Sequence, residues 1–181
     1  MKIPRVNKRS VSRVLEIDPG FDRLGIAVVE GDASKPTLVW SACVEPAKGK
    51  KEKRLAEVSA AVEGAIKKYR PDMLAIETLF FSKNKRTALG VAEARGAVLS
   101  AAGAAKLRVL EFSPQQVKLA VTGYGGADKG AVARMVPRLI ALPLKKRLDD
   151  ELDAIALGIA ALAQKIVFAQ IDSPEHLTPR G

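Results

Sequence analysis

Three apolar runs of strand length, at residues 14–17, 24–29 and 38–44, follow one another across short turns. Connections this short predict an antiparallel meander. From Lys50 to Tyr69 the period changes, and Leu55, Val58, Ala61, Val62, Ala65 and Ile66 recur at helical spacing. Pro71-Asp72 ends that helix, and residues 73–77 are an apolar strand closing on Glu77. A helix over about 87–105, a strand over 108–112, short helices over about 114–121 and 128–139, and a last helix over about 149–168 follow. A meander followed by alternating helices and strands implies an α/β fold: a mixed five-stranded sheet with helices on both faces.

The 181 residues suit one domain with a real core. We expect a basic flexible arm over 1–13, a folded domain over 14–170 and a disordered tail over 171–181. Aromatic residues are only 4% of the chain, so the core rests on Ala, Val, Leu and Ile. No run approaches the roughly 18 apolar residues of a membrane span, and the basic N-terminus lacks the apolar region of a signal peptide. A cytoplasmic protein with no membrane partner is the expectation.

Thirty Lys and Arg against twenty Asp and Glu leave a formal charge of +10, which suits a polyanionic partner, nucleic acid first. The cations cluster at 2–13, at 48–54, at Lys83, Lys85 and Arg86, and at 145–147. The only cysteine is Cys43 and the only histidine is His176. That excludes a Cys/His zinc site and a Ser-His-Asp triad within a compact domain. Cys43 reads as a core residue rather than a nucleophile.

The chemistry is left to carboxylates. Asp18 and Glu77 each terminate an apolar strand, and they converge if the first and fourth strands are neighbours. Asp150 and Asp153 share one face of the last, largely apolar helix. Asp18 also suits a turn before Pro19, and Asp150 also suits a helix N-terminus. Asp149 and Glu151 project from other faces and fit that dipole role better. Glu77 and Asp153 have no comparable structural role. An all-carboxylate cluster selects hard cations, Mg²⁺ or Mn²⁺. Two such ions about 4 Å apart clamp the attacking water and the leaving oxygen of a phosphodiester.

The chain resembles RuvC-type Holliday junction resolvases over roughly residues 14–168. The resemblance rests on Ile17-Asp18-Pro19-Gly20 with Gly25, on Pro71-Asp72 running into Ala75-Ile76-Glu77, and on Phe80, Lys83-Asn84 and Ala94-Arg95-Gly96. It continues in Gln116-Val117-Lys118, Val121-Thr122-Gly123-Tyr124-Gly125, Asp128-Lys129 and Asp150-x-x-Asp153-Ala154-x-Ala156. It implies an RNase H-like fold and a homodimer that makes paired symmetric nicks in four-way DNA junctions. It also implies Mg²⁺, two ions per site with Mn²⁺ as substitute, and a branch-migration helicase complex as partner.

The same resemblance makes Asp18, Glu77, Asp150 and Asp153 the catalytic and metal-holding acids. Lys118 and Lys129 fall where the family has lysines near DNA, and Phe80 where it has an aromatic that stacks on bases. Core packing is the alternative for Phe80. Lys83, Lys85 and Arg86 complete the expected DNA surface. Val91-Ala92-Glu93 departs from the family's Leu-Gly-Gln near the helix that relatives use to dimerise. Two other readings compete: a module that holds branched DNA without cutting it, and an RNase H-like nuclease acting on RNA.

Overall fold

The computed structural model describes residues 12–20, 22–79 and 85–171, without the side chains of 85–87 and 165–171. Five strands form one sheet in the order β3-β2-β1-β4-β5. The meander is β1 (Ser12–Pro19), β2 (Leu24–Gly31) and β3 (Thr37–Val44), antiparallel throughout. β4 (Met73–Glu77) lies parallel to β1, and β5 (Arg108–Phe112) parallel to β4. Strands one and four are therefore neighbours, in the register Ile17 opposite Ile76.

Alternation along the strands divides the core in two. Leu15, Ile17, Ile26, Val28, Leu74 and Ile76 face α1 (Lys51–Tyr69) and α2 (Lys85–Ala104), through Val58, Val62, Val98 and Ala102. Val14, Ala27, Val29 and Ala75 face α3 (Pro114–Thr122), α4 (Lys129–Leu139) and α5 (Asp149–Ile171). Helices cover both faces, as expected. No helix among the described residues is long and apolar enough to cross a membrane.

Three sequence expectations need correction. The first strand begins at Ser12, inside the stretch assigned to the arm. Arg13 donates to Glu30 at 2.6 Å and to the Tyr69 carbonyl at 2.7 Å, so it is part of the sheet. Residues 1–11 lie outside the described residues, and so do 172–181, while Ile171, assigned to the tail, ends α5. Cys43 is only half-buried, on the edge strand β3, and burial pushes its thiol up to about 11. A thiol that holds its proton is a poor nucleophile, so that part of the expectation agrees with the structure.

Glu16 is fully buried on β1, on the α5 side, although its strand otherwise reads as apolar. Gly158 of α5 makes the room: a Cβ there would lie 2.7 Å from the Glu16 carboxyl carbon. Burial raises this carboxyl well above the usual range. The nearby N–H groups of Glu16 and Val29 oppose the rise, but neither carboxylate oxygen reaches a hydrogen bond. A glutamate whose folded-state value is raised costs stability as pH climbs above its unfolded value near 4.3. Glu16→Met, of similar length and apolar, is expected to stabilise the protein by about 1–4 kcal/mol at pH 8. The gain should shrink towards pH 5, where the buried acid keeps its proton. Thermal melts in EDTA at both pH values test this, and a variant less stable than wild type at pH 8 would refute it.

Candidate nuclease site

The parallel pairing of β1 and β4 brings Asp18 and Glu77 to the same end of the sheet. The other two acids come from α5, whose first turn settles directly on β2. Gly25 permits this, because a Cβ there would stand 1.9 Å from the Asp150 carbonyl oxygen and 3.2 Å from the Asp18 Cβ. Only hydrogen fits in that gap.

The first turn of α5 is also tied down by a buried ionic cluster that the sequence reading missed. Glu151, 4% exposed, accepts from Ser41 Oγ at 2.5 Å and pairs with Lys145 Nζ at 2.7 Å. Arg147 Nε lies 3.3 Å from it, off line, as a charge contact without a hydrogen bond. Glu151 does not serve the dipole from an outward face. It anchors α5 to β3, and Asp149, 77% exposed, keeps the outward role.

Two adjoining clefts open at this end. One, of about 280 Å³, is lined by Glu77, Pro114, Lys118, Lys129 and Asp153 among others. The second, of about 200 Å³, is lined by Asp18, Glu77, Thr78 and Val91 among others. α3 can start beside Glu77 because its N-terminus is self-sufficient: Ser113 and Gln116 form a capping box and Pro114 opens the helix. Asp128 caps α4 by accepting from the Ala131 N–H, which places Lys129 in the first turn, facing α5.

The electrostatics are those of crowded like charges. Burial, then Glu77, Asp153 and Asp150, push Asp18 up to about 7, against the opposing pull of Lys129. Glu77 is raised by burial and by Asp153, although Lys129 and Lys118 pull it down. Asp153 is raised by burial in spite of its bond to Lys129 Nζ at 2.8 Å. For Lys129 burial works downward, but Asp153, Asp149 and Asp150 together raise it. Asp150 meets Arg23 NH1 at 3.4 Å. As they stand, no three His, Cys, Asp or Glu side chains among the described residues are gathered tightly enough to hold one ion. Two of the acids are engaged by Lys129 and Arg23 instead.

The family model for "Crossover junction endodeoxyribonuclease RuvC" matches residues 14–161. The chain belongs to this family. It is 40% identical over 147 residues to the Crossover junction endodeoxyribonuclease RuvC of Halothermothrix orenii, covering 81% of this chain and 89% of the relative. The Thermomicrobium roseum protein of the same name is 41% identical over 147 residues, covering 81% of this chain and 90% of the relative. Among solved structures, Thermus thermophilus RuvC in complex with Holliday junction substrate superposes with a TM-score of 0.79 at 32% identity, over 88% of this chain and 96% of that one. The fold is RNase H-like, as expected.

Against the family expectations, the structure brings Asp18, Glu77, Asp150 and Asp153 to one end of the sheet, with Lys118 and Lys129 beside them. Phe80 and Lys83 lie outside the described residues, as do the side chains of Lys85 and Arg86. Arg23 escapes the sequence reading as a neighbour of the site, and Arg95 enters it only as part of the Ala94-Arg95-Gly96 motif, without its contact to Glu77. Arg23 bridges Asp150 and Glu45, and Arg95 reaches the Glu77 carbonyl at 3.4 Å while pairing with Glu111 on β5. A cation pairing across more than a hundred residues leaves no local signal in sequence.

Gly25→Ala should force α5 off β2. We expect a loss of about 1–3 kcal/mol in denaturant unfolding, and at least a tenfold drop in nicking under conditions where circular dichroism shows a folded variant. Full activity in a folded Gly25→Ala protein would show that the close approach does not set the position of Asp150.

Proposed function

We propose that this chain resolves four-way DNA junctions by metal-dependent phosphodiester hydrolysis at the carboxylate cluster of Asp18, Glu77, Asp150 and Asp153. The observation that carries the reading is the convergence of four acids from β1, β4 and α5 at one end of the sheet, close enough for the other three to raise Asp18, beside a cleft that Lys118 and Lys129 line. Membership of the crossover junction endodeoxyribonuclease family supports the substrate, and nucleases of the family are metal-dependent.

The residues present fit divalent cations. The donors are hard carboxylate oxygens with no sulfur or imidazole among them, which suits Mg²⁺, with Mn²⁺ as substitute. Burial first, and then the neighbouring acids, keep a proton on Asp18 up to about 7, and a bound cation would offset both. When bound, such ions neutralise the phosphate and favour ionisation of the attacking water.

The chain's own groups do the rest. Asp18 and Glu77, fixed on paired strands, supply a rigid base to the cleft. Lys118 lines its other wall and faces the approaching phosphate, where an ammonium offsets developing negative charge. Lys129 is oriented by Asp153 and stands ready for the same role. Hydrolysis forms one oxygen–phosphorus bond from water and breaks another to the leaving sugar oxygen.

A homodimer accounts for paired symmetric cuts, one site per strand. A branch-migration helicase complex in the cytoplasm completes the proposed setting. The non-cleaving alternative is disfavoured by the intact set of four acids.

Incubation with a synthetic four-way junction and a matched linear duplex, with and without Mg²⁺, tests the reading. Symmetric nicks confined to the junction and abolished by EDTA are expected; equal cutting of the duplex would defeat it. Asp150→Asn should remove cleavage by at least a hundredfold and leave junction binding intact or stronger, because it removes metal-holding charge and no DNA contact. Ordinary cleavage by that variant would take Asp150 out of the site.

Metal binding should also be linked to pH. Asp18, Glu77 and Asp153 all hold protons more tightly than ordinary carboxylates, and those protons must leave for a cation to bind. Mn²⁺ affinity by calorimetry should rise from pH 5.5 to pH 8, with proton release that depends on buffer ionisation heat. A flat profile would contradict the assignment.

A further inference from the structure

The β3–α1 junction carries Lys48, Lys50, Lys51 and Lys53, all exposed and without a role in the site described above. It stands at the catalytic end of the sheet, since β3 ends opposite the start of β2, and β2 starts opposite Pro19. Salt bridges tie it there: Arg54 to Asp22 at 2.8 Å, and Lys51 to Glu93 of α2 at 2.9 Å. The loop itself is pinned by the Ala47 N–H, which donates to Glu57 at 2.8 Å.

The neighbouring acids are already engaged. Glu45 faces Arg23 at 3.7 Å, Glu93 holds Lys51, Asp22 holds Arg54, and Glu57 holds the loop. Lys48, Lys50 and Lys53 have no ion-pair partner among the described residues, and Glu52 is the one acid in the first turn of α1. Lys50 is moreover the N-cap of α1, with no side-chain hydrogen bond to the helix. Lysines at the positive pole of a helix repel it and each other, a cost that an external anion removes.

Position decides what that anion is. Lys118 and Lys129 flank the carboxylates from α3 and α4, on the Glu77 and Asp153 side. The β3–α1 junction adjoins the site on the Asp150 side, because Glu45 at its start pairs with Arg23, which meets Asp150. We propose that Lys48, Lys50 and Lys53 form a second phosphate-backbone contact, gripping a duplex arm of the junction on the flank of the cleft opposite Lys118 and Lys129. This deepens the proposed function and rests on it.

The test is the salt dependence of binding to a synthetic four-way junction in EDTA, where no cutting occurs. The combined variant Lys48→Gln, Lys50→Gln, Lys53→Gln should flatten the slope of log affinity against log salt by about 2–3, at about 0.9 per lost phosphate contact. Affinity at 100 mM salt should fall at least tenfold. A control removing the same charge at the other end of the sheet (Lys35→Gln, Lys67→Gln, Lys106→Gln) should leave the slope unchanged. A triple variant with wild-type melting temperature and wild-type slope overturns the proposal, and so does a control that flattens it equally. Wild-type nicking in Mg²⁺ is measured beside these, and its absence counts against the function reading alone, since the slope comparison tests the lysines whether or not the strand is cut.

Discussion

The parallel pairing of β1 with β4 is the constraint from which the site follows. β1 is the one strand flanked by an antiparallel neighbour on one side and a parallel neighbour on the other. The first pairing returns the chain at once through the tight segment after Pro19, and the second requires α1 to carry it back to the far end. Asp18 and Glu77, about sixty residues apart in sequence, thus end up on adjacent strands with their side chains at one sheet end. Had β4 paired antiparallel, Glu77 would sit at the opposite end from Asp18, and α5 would have only one partner acid to meet.

Gathering these charges costs free energy that the rest of the molecule must carry. Asp18 retains a proton up to about 7 because it is buried beside three other acids, and Lys129 offsets only part of the repulsion. A helix bearing two of the acids would tend to move away from such a cluster. α5 is held against it by its apolar face, with Ala154, Ile155 and Leu157 in the core, and by Glu151 locked to Ser41 and Lys145. Breaking a buried pair of this kind by removing one partner costs about 3–5 kcal/mol. Glu16, two residues before Asp18 on the same strand, adds a second buried carboxyl without a hydrogen-bond partner, held in its protonated form by burial. The site is built against its own electrostatics, and packing supplies the resistance.

What was legible in the sequence is what has a period or a local rule. The strands appeared as short apolar runs between turns and the first helix through spacing 3.6, the start of α3 through Pro114, and the acids through their places at strand ends and along one helix face. What escaped lacks any local trace. Ser12 and Arg13 are polar, so nothing in their character reads as strand, yet they extend β1 opposite Gly31 and Glu30, and Asp72 and Glu30 take up the backbone and guanidinium donors of Arg13. Glu151 looks like its neighbour Asp149, and only the position of Ser41 on a strand more than a hundred residues away makes it a core residue. Glu16 disappears inside an apolar run, and its tolerance there depends on Gly158 opposite. The segment around Phe80 leans on family likeness alone.

The placement of charge explains how a chain with four clustered acids can take a polyanion at all. Its net charge of +10 is not spread evenly around the cleft. The acids lie on strands and on a helix that packing has immobilised, while Lys118 of α3 and Lys129 in the first turn of α4 line the adjoining cleft. A phosphate approaching from solvent meets ammonium groups before carboxylates, and within a Debye length of about 8 Å it feels chiefly the nearer set. On the proposed reading, holding the backbone and cutting it are therefore duties of different elements. The two sets meet at only a few points, Lys129 with Asp153 and Arg23 with Asp150, so on the proposed reading a cation that took over either carboxylate would free its lysine or arginine to face a phosphate.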